Sequence, residues 1–245
     1  MMLEAGEYAE RGLESAFVTL TYAPEYLPEG QNVVKEHLGR FIEDLRVLVR
    51  PRRIRYYAVG EYGDQSWRPH YHLIVFGLSP TEGEKVQQAW KKGLVHMGTA
   101  EPSTMRYVSG YVVKKMTKAE DPRLAGRTPE FACMSLKPGL GYGIVERMTR
   151  SYTTEQGLSV LEKHWPSNQV RLNGQVYPLG RYLHQKLLAE LGIDRGMKAE
   201  YHAHAFEQAY ESQLGEPLKR RQEIWKARIQ QQEGKFKIHR QHRRL

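Results

Sequence analysis

Arg68-Pro69-His70-Tyr71-His72-Leu73-Ile74-Val75-Phe76 is the stretch on which the reading of this chain turns. Its β-branched and aromatic content predicts a strand, and on a strand alternate side chains share a face. His70 and His72 then point one way and Tyr71 the other. Two imidazoles held side by side on a rigid element make half of a divalent-metal site. An isolated strand histidine usually serves as a hydrogen-bonded structural residue, so the ligand reading needs a further donor. Glu61, at the end of the preceding predicted strand, can supply it. In a hairpin its carboxylate can lie beside both rings, and a mixed N/O set suits Mg²⁺ or Mn²⁺. Asp64, in the intervening turn, is a weaker candidate.

Upstream, Phe17-Val18-Thr19-Leu20-Thr21-Tyr22 alternates and is rich in β-branched and aromatic residues, which predicts a strand ended by Pro24. Residues 1–15 read as a helical lead-in. Val33 to Val49 carries helical periodicity, closed by Pro51. Ile54 to Val59 is a second strand, joined to the histidine strand by the polar loop 60–67. Downstream come a helix from Pro80 to about Lys92, a short strand from Leu94 to Met97, and a helix capped by Ser103 and running to about Lys118. A hairpin set between helical connections predicts an α+β fold: a mainly antiparallel sheet with helices on one face. After Glu120 the pattern loosens into turn chemistry. Val170–Leu172 and Gln175–Tyr177, joined by Asn173-Gly174, read as a tight hairpin. From Arg181 the composition is helical. The expected organisation is a core over 1–120, a loop and hairpin extension over 121–182, and a basic helical region over 183–245.

A nucleophile candidate lies on the helix after the fourth strand. Tyr107, Tyr111, Lys114, Lys115 and Lys118 share one face at helical spacing, while Val108, Val112 and Met116 form a face that can pack on a sheet. A phenol is a weak nucleophile near neutral pH, since its reference pKa is about 10. A metal polarising a phosphate and lysines beside it would ease attack. With 15 tyrosines in the chain, such a pair also arises by chance. Lys137, in a glycine-containing loop, could touch a phosphate. Arg68 and Trp67 border the histidine strand, where they could contact or stack on unpaired bases or cover the rim of a core.

The formal charge of +9 over 245 residues suits a polyanionic partner such as nucleic acid. Between Lys219 and Arg244, ten cations face only Glu223 and Glu233, so most of this excess sits in the tail. The single cysteine, Cys133, excludes an intrachain disulfide and a cysteine-based zinc cage. No segment reads as a signal peptide or a membrane span, which agrees with a cytoplasmic protein. No Gly-x-x-x-x-Gly-Lys phosphate loop is present, so no built-in helicase is expected.

Taken together, Phe17-Val18-Thr19-Leu20-Thr21-Tyr22, Gly60-Glu61 with His70-Tyr71-His72, and Tyr107 through Lys115 resemble the three motifs of the HUH endonucleases. The similarity is nearest to the replication initiators of microviruses, the gokushovirus type of single-stranded DNA phage or prophage, and covers roughly residues 15–185. The resemblance implies an antiparallel sheet related to the RNA-recognition fold. It implies metal ligation by His70, His72 and Glu61 with Mg²⁺ or Mn²⁺ as cofactor. It also implies attack on single-stranded origin DNA by Tyr111 or Tyr107, assisted by Lys114, to give a 5′-phosphotyrosine and a free 3′-OH. Tyr111 is favoured as first nucleophile because it leads directly into Lys114. Lys115, Lys118, Arg68, Trp67 and Lys137 are then DNA-binding candidates. Expected partners are origin DNA and the host replication helicase and polymerase in the bacterial cytoplasm, with no membrane. Such phage proteins often carry an upstream segment with paired cysteines, whereas this sequence begins almost at its first strand. Alternative readings are a plasmid mobilisation relaxase or HUH transposase, a non-catalytic single-strand binding protein, and a basic structural protein.

Overall fold

The computed structural model describes residues 1–194 except 64, 115–117, 119 and 173, with backbone alone for 111–114, 162 and 163. The basic tail expected over 183–245 therefore lies largely outside the described residues. The elements are α1 (Met2–Glu10), β1 (Ser15–Thr21), α2 (Lys35–Leu48), β2 (Arg55–Tyr62), β3 (Pro69–Phe76), α3 (Gly83–Ala89), β4 (Val95–Thr99) and α4 (Pro102–Lys114). They continue with β5 (Phe131–Met134), α5 (Gly143–Tyr152), α6 (Glu155–Lys163), β6 (Gln169–Leu172), β7 (Gln175–Pro178) and α7 (Arg181–Glu190). The fold is α+β, as the sequence predicts.

Five strands form one sheet in the order β4-β1-β3-β2-β5, and every neighbouring pair is antiparallel. β3 lies at the centre, hydrogen-bonded on both edges, and its apolar run Leu73–Phe76 is wholly buried. Strand alternation sends Ala16, Val18 and Leu20 of β1 and Tyr71, Leu73 and Val75 of β3 into a core built with Leu38, Phe41, Ile42 and Leu45 of α2 and Val86 of α3. The opposite parity sends Val59, Ile74 and Phe76 toward Tyr8 of α1 and Met105 and Val108 of α4. Helices thus cover both faces rather than the one expected. The physical reason is that β3 is apolar on both parities, so each face demands a cover.

Tyr71, between the two histidines, points into the first core. Its hydroxyl accepts from Val34 N–H at 2.9 Å, donates to Val34 C=O at 2.9 Å, and lies 2.7 Å from the Tyr22 hydroxyl. This network ties the start of α2 to the centre of the sheet.

Four local expectations are corrected. α3 is shorter than the span 80–92, because Glu82 accepts from Ser79 N–H and Thr81 N–H donates to the Ser79 hydroxyl, which makes a turn where a helix start was expected. Ser103 is not a cap. The helix starts at Pro102, and the Thr104 hydroxyl instead accepts from Glu101 N–H at 2.8 Å. The loosely patterned stretch after Glu120 holds a fifth sheet strand, β5, paired to β2. It also holds α5 and α6, two helices not anticipated. The hairpin β6–β7 is present, with Gly174 at φ 78° and Asn173 outside the described residues.

The chain divides into two compact units, Met1–Met148 and Thr149–Leu245. The five-stranded sheet and all the motif residues belong to the first. Among the described residues no helix is long and apolar enough to cross a membrane.

Candidate metal centre and nucleophile

The register of the central hairpin sets Glu61 of β2 directly opposite His70 of β3, and Val59 opposite His72. On the other edge of β3, Thr21 faces His70 and Thr19 faces His72. Cross-strand partners share a face, so Glu61, His70, His72 and Thr19 emerge on the α4 side. Glu61 is 2 % exposed, and its Oε1 lies 2.8 Å from His70 Nε2 and 3.1 Å from His72 Nε2. Burial pushes the Glu61 carboxyl up. The imidazole contacts of His70 and His72 outweigh that and hold it at about 2. The group is therefore a carboxylate.

The tautomer of His70 follows from its other nitrogen. Nδ1 lies 3.1 Å from the Arg68 carbonyl oxygen, which can only accept, so the ring proton sits on Nδ1. The Nε2 of a neutral ring then aims a lone pair at an ionised oxygen 2.8 Å away. Two electron-rich atoms at that separation call for a cation: a proton, or a metal ion drawing both in. One ligand atom each from Glu61, His70 and His72 lies within 4.8 Å of the others. This N₂O donor set on two paired strands can hold a divalent ion, and hard cations such as Mg²⁺ and Mn²⁺ accept such mixed ligands.

Residues around the cluster fix its orientation. Thr19 Oγ1 lies 3.0 Å from His72 Nδ1, which turns His72 Nε2 toward Glu61. The Phe17 ring stacks on His72 with centroids 5.7 Å apart and 12° between planes. Neither Thr19 nor Phe17 was legible as a site residue, because a threonine and a phenylalanine on a strand are ordinary strand formers. The available signal was their parity, which places them on the histidine side once β1 pairs with β3.

Tyr107 enters from above. Met105 and Val108 are buried against the sheet and fix the rotation of α4. Tyr107, on the flank of that buried stripe, sets its ring edge-on to His72 at 5.6 Å and edge-on to Phe17 at 6.4 Å. It remains 51 % exposed, open to a substrate. Tyr111 follows one turn later, about 6 Å along the axis. Its side chain and that of Lys114 lie outside the described residues, as do Lys115 and Asp64 entirely. Lys118 is exposed beyond the helix end.

Arg68 is directed inward: its Nη2 donates to the Tyr22 carbonyl at 2.7 Å. Trp67, at φ 53°, packs with Tyr62, and the Arg127 guanidinium lies over its ring at 5.4 Å. Lys137 is exposed on the loop after β5. It borders a cleft shared with Arg55, the residue at the opposite end of β2 from Glu61.

The sequence was compared with known proteins. Residues 15–120 match the family model of the replication-associated protein ORF2. The chain is 31 % identical over 169 residues to the replication-associated protein ORF2 of Spiroplasma virus 4, covering 60 % of this chain and 52 % of that protein. It is 27 % identical over 214 residues to the replication-associated protein ORF4 of Chlamydia phage 1, covering 77 % and 50 %. It is 27 % identical over 130 residues to the replication-associated protein VP4 of Bdellovibrio phage phiMH2K, covering 44 % and 41 %. The chain thus spans about half the length of the curated relatives it matches. No solved structure matches it. Through residues 15–120, which hold the carboxylate–imidazole cluster and Tyr107, the chain belongs to the family of the replication-associated protein ORF2.

Proposed function

We propose that the chain initiates rolling-circle replication of a single-stranded DNA phage or prophage genome by nicking and rejoining origin DNA through a covalent 5′-phosphotyrosine. The observation that carries this reading is the Tyr107 ring standing 5.6 Å from His72, on the face where Glu61, His70 and His72 converge. The relatives' replication-associated names point to the same class of work.

Glu61, His70 and His72 would hold Mg²⁺ or Mn²⁺, which when bound supplies polarisation of the scissile phosphate. The remaining work falls to the chain. Thr19 and Phe17 hold the His72 ring so that the cluster is formed before DNA arrives. The Tyr107 hydroxyl attacks phosphorus, a tyrosyl Oη–P bond forms and the P–O3′ bond breaks. The phenolic proton lost is balanced by the one gained at the leaving 3′ oxygen. Bond type is conserved, so the reverse step rejoins the ends. Tyr111, four residues on, would act as the alternate nucleophile when the origin is regenerated, with Lys114 and Lys115 facing the phosphates. Of the two tyrosines, Tyr107 is here assigned the first attack because of its contact with His72. Host helicase and polymerase would extend the released 3′-OH.

The test is a 3′-labelled single-stranded origin oligonucleotide with Mn²⁺. An SDS-stable labelled adduct is expected from the native chain. None is expected from the double variant Tyr107→Phe, Tyr111→Phe, nor from His70→Ala or His72→Ala. An adduct that persists in the double tyrosine variant removes the mechanism. Binding of DNA with no adduct under any divalent ion would leave a single-strand binding protein.

A further inference from the structure

A second feature of the first unit lies outside this chemistry. At the start of β2, a cleft of about 790 Å³ opens between α1, the loop that follows α2, and the loop that follows β5. Seven cationic side chains and three acidic ones line it. Two of the arginines are committed to its walls. Arg55 Nη1 donates to the buried Glu4 carboxylate at 3.1 Å, and its Nη2 donates to the Pro138 carbonyl. Glu4 also accepts from Gly141 N–H at 2.6 Å, so α1, β2 and the loop after β5 are tied together. Arg52 grips Glu82 with contacts of 2.6 and 2.7 Å.

The other five are not committed. Arg11, Arg46, Arg50, Arg53 and Lys137 are exposed on the rim, and none has a carboxylate within ion-pair distance among the described residues. Arg11 and Arg46 are pre-oriented, with their guanidinium carbons 5.7 Å and 5.9 Å from the centroids of Tyr8 and Tyr56. The acids on the walls besides Glu4 are Glu7 and Glu146. Five like charges around one concavity repel each other unless a polyanion is there to meet them. Four of the five are guanidinium forks, whose geometry matches phosphate oxygens.

We propose that this cleft binds the phosphate backbone of single-stranded DNA as a subsite separate from the metal centre. The choice of DNA as ligand rests on the function proposed above, whereas the cleft itself does not. Arg55 and Glu61 share one face of β2 and stand six residues apart, or about 20 Å at the usual strand rise. That equals roughly six nucleotides of a stacked strand at about 3.4 Å each. A strand cut at the metal centre therefore reaches the cleft only when it extends well past the scissile phosphate. Lys137, singled out in the sequence as a phosphate contact, would serve here rather than at the cut.

The test is fluorescence anisotropy of the full chain with a labelled 20-nucleotide single strand, in EDTA so that no cleavage intervenes. The variants are Arg50→Glu with Arg53→Glu, and Arg50→Gln with Arg53→Gln. The charge reversal is expected to weaken binding at least about tenfold and the neutral pair at least about threefold. The slope of log affinity against log salt should become shallower by about 1.4 in the neutral pair, at about 0.7 per phosphate contact on a single strand. Should the reversed pair melt early, the neutral pair alone decides. Unchanged affinity and slope in the neutral pair would overturn the subsite, as would displacement of the 20-mer by poly-glutamate as effectively as by unlabelled DNA. A failed adduct assay beside an intact salt-slope effect would sink the nicking chemistry and leave the cleft standing.

Discussion

The hydroxyl of Thr19 decides which way the His72 ring faces. Its contact at Nδ1, 3.0 Å long, leaves Nε2 for Glu61, and a ring held by its far nitrogen coordinates with less loss of freedom. Thr19→Val keeps the strand and the volume but removes the contact. Mn²⁺ affinity measured by calorimetry is expected to fall about tenfold, the lower end for loss of such a supporting partner. Equal affinity would deny Thr19 a positioning role. The ligands were legible because strand alternation alone puts His70 and His72 on one side, and a hairpin brings Glu61 opposite. Thr19 was not, because its contact spans 53 positions of sequence and depends on β1 pairing with β3, which no local pattern encodes. The inward turn of Arg68 was hidden for the same reason: its acceptor is a main-chain carbonyl 46 residues away.

Among the elements, the turn before α3 carries a titratable brace. Burial pushes the Glu82 carboxyl up, but hydrogen bonds from Arg52, Lys85 and Ser79 N–H outweigh it and hold the group at about 2, below the ordinary 4.5. The unfolded chain therefore binds the proton first as pH falls. The brace stabilises fully above about pH 4.5 and its contribution is lost on the way down to about pH 2. Glu82→Gln is expected to unfold at lower denaturant than the native chain at pH 6, with the gap closing by about pH 2.5. A gap that is constant across that range would show the carboxylate charge to be irrelevant. The elements that were legible, β1, α2, β2, β3 and the β6–β7 hairpin, have long periodic runs or unambiguous turns. β5 was not, since four residues at a sheet edge, alternately half-buried and exposed, carry little pattern of their own. Its pairing with β2 supplies what its sequence does not.

For the molecule as a whole, the cluster couples ion binding to the fold. Its ligands come from two neighbouring strands, so the unfolded chain cannot present them together. A divalent ion at about 100 times its dissociation constant should stabilise the native state by about 2.7 kcal/mol. Thermal unfolding is expected to shift upward with Mn²⁺ in the native chain and not in the His70→Ala, His72→Ala double variant. A shift of equal size in both would place the ion elsewhere. The same architecture bears on what sequence changes the family can absorb. Because Glu61 and His70 sit opposite one another on a ladder whose sides alternate, the reversing loop between β2 and β3 can grow or shrink with the carboxylate still aimed at the rings. A single residue lost inside either rung-bearing segment turns the carboxylate or an imidazole to the α2 side, among Leu73 and Val75. Length variation is thereby steered into the connection, and the ladder itself keeps count.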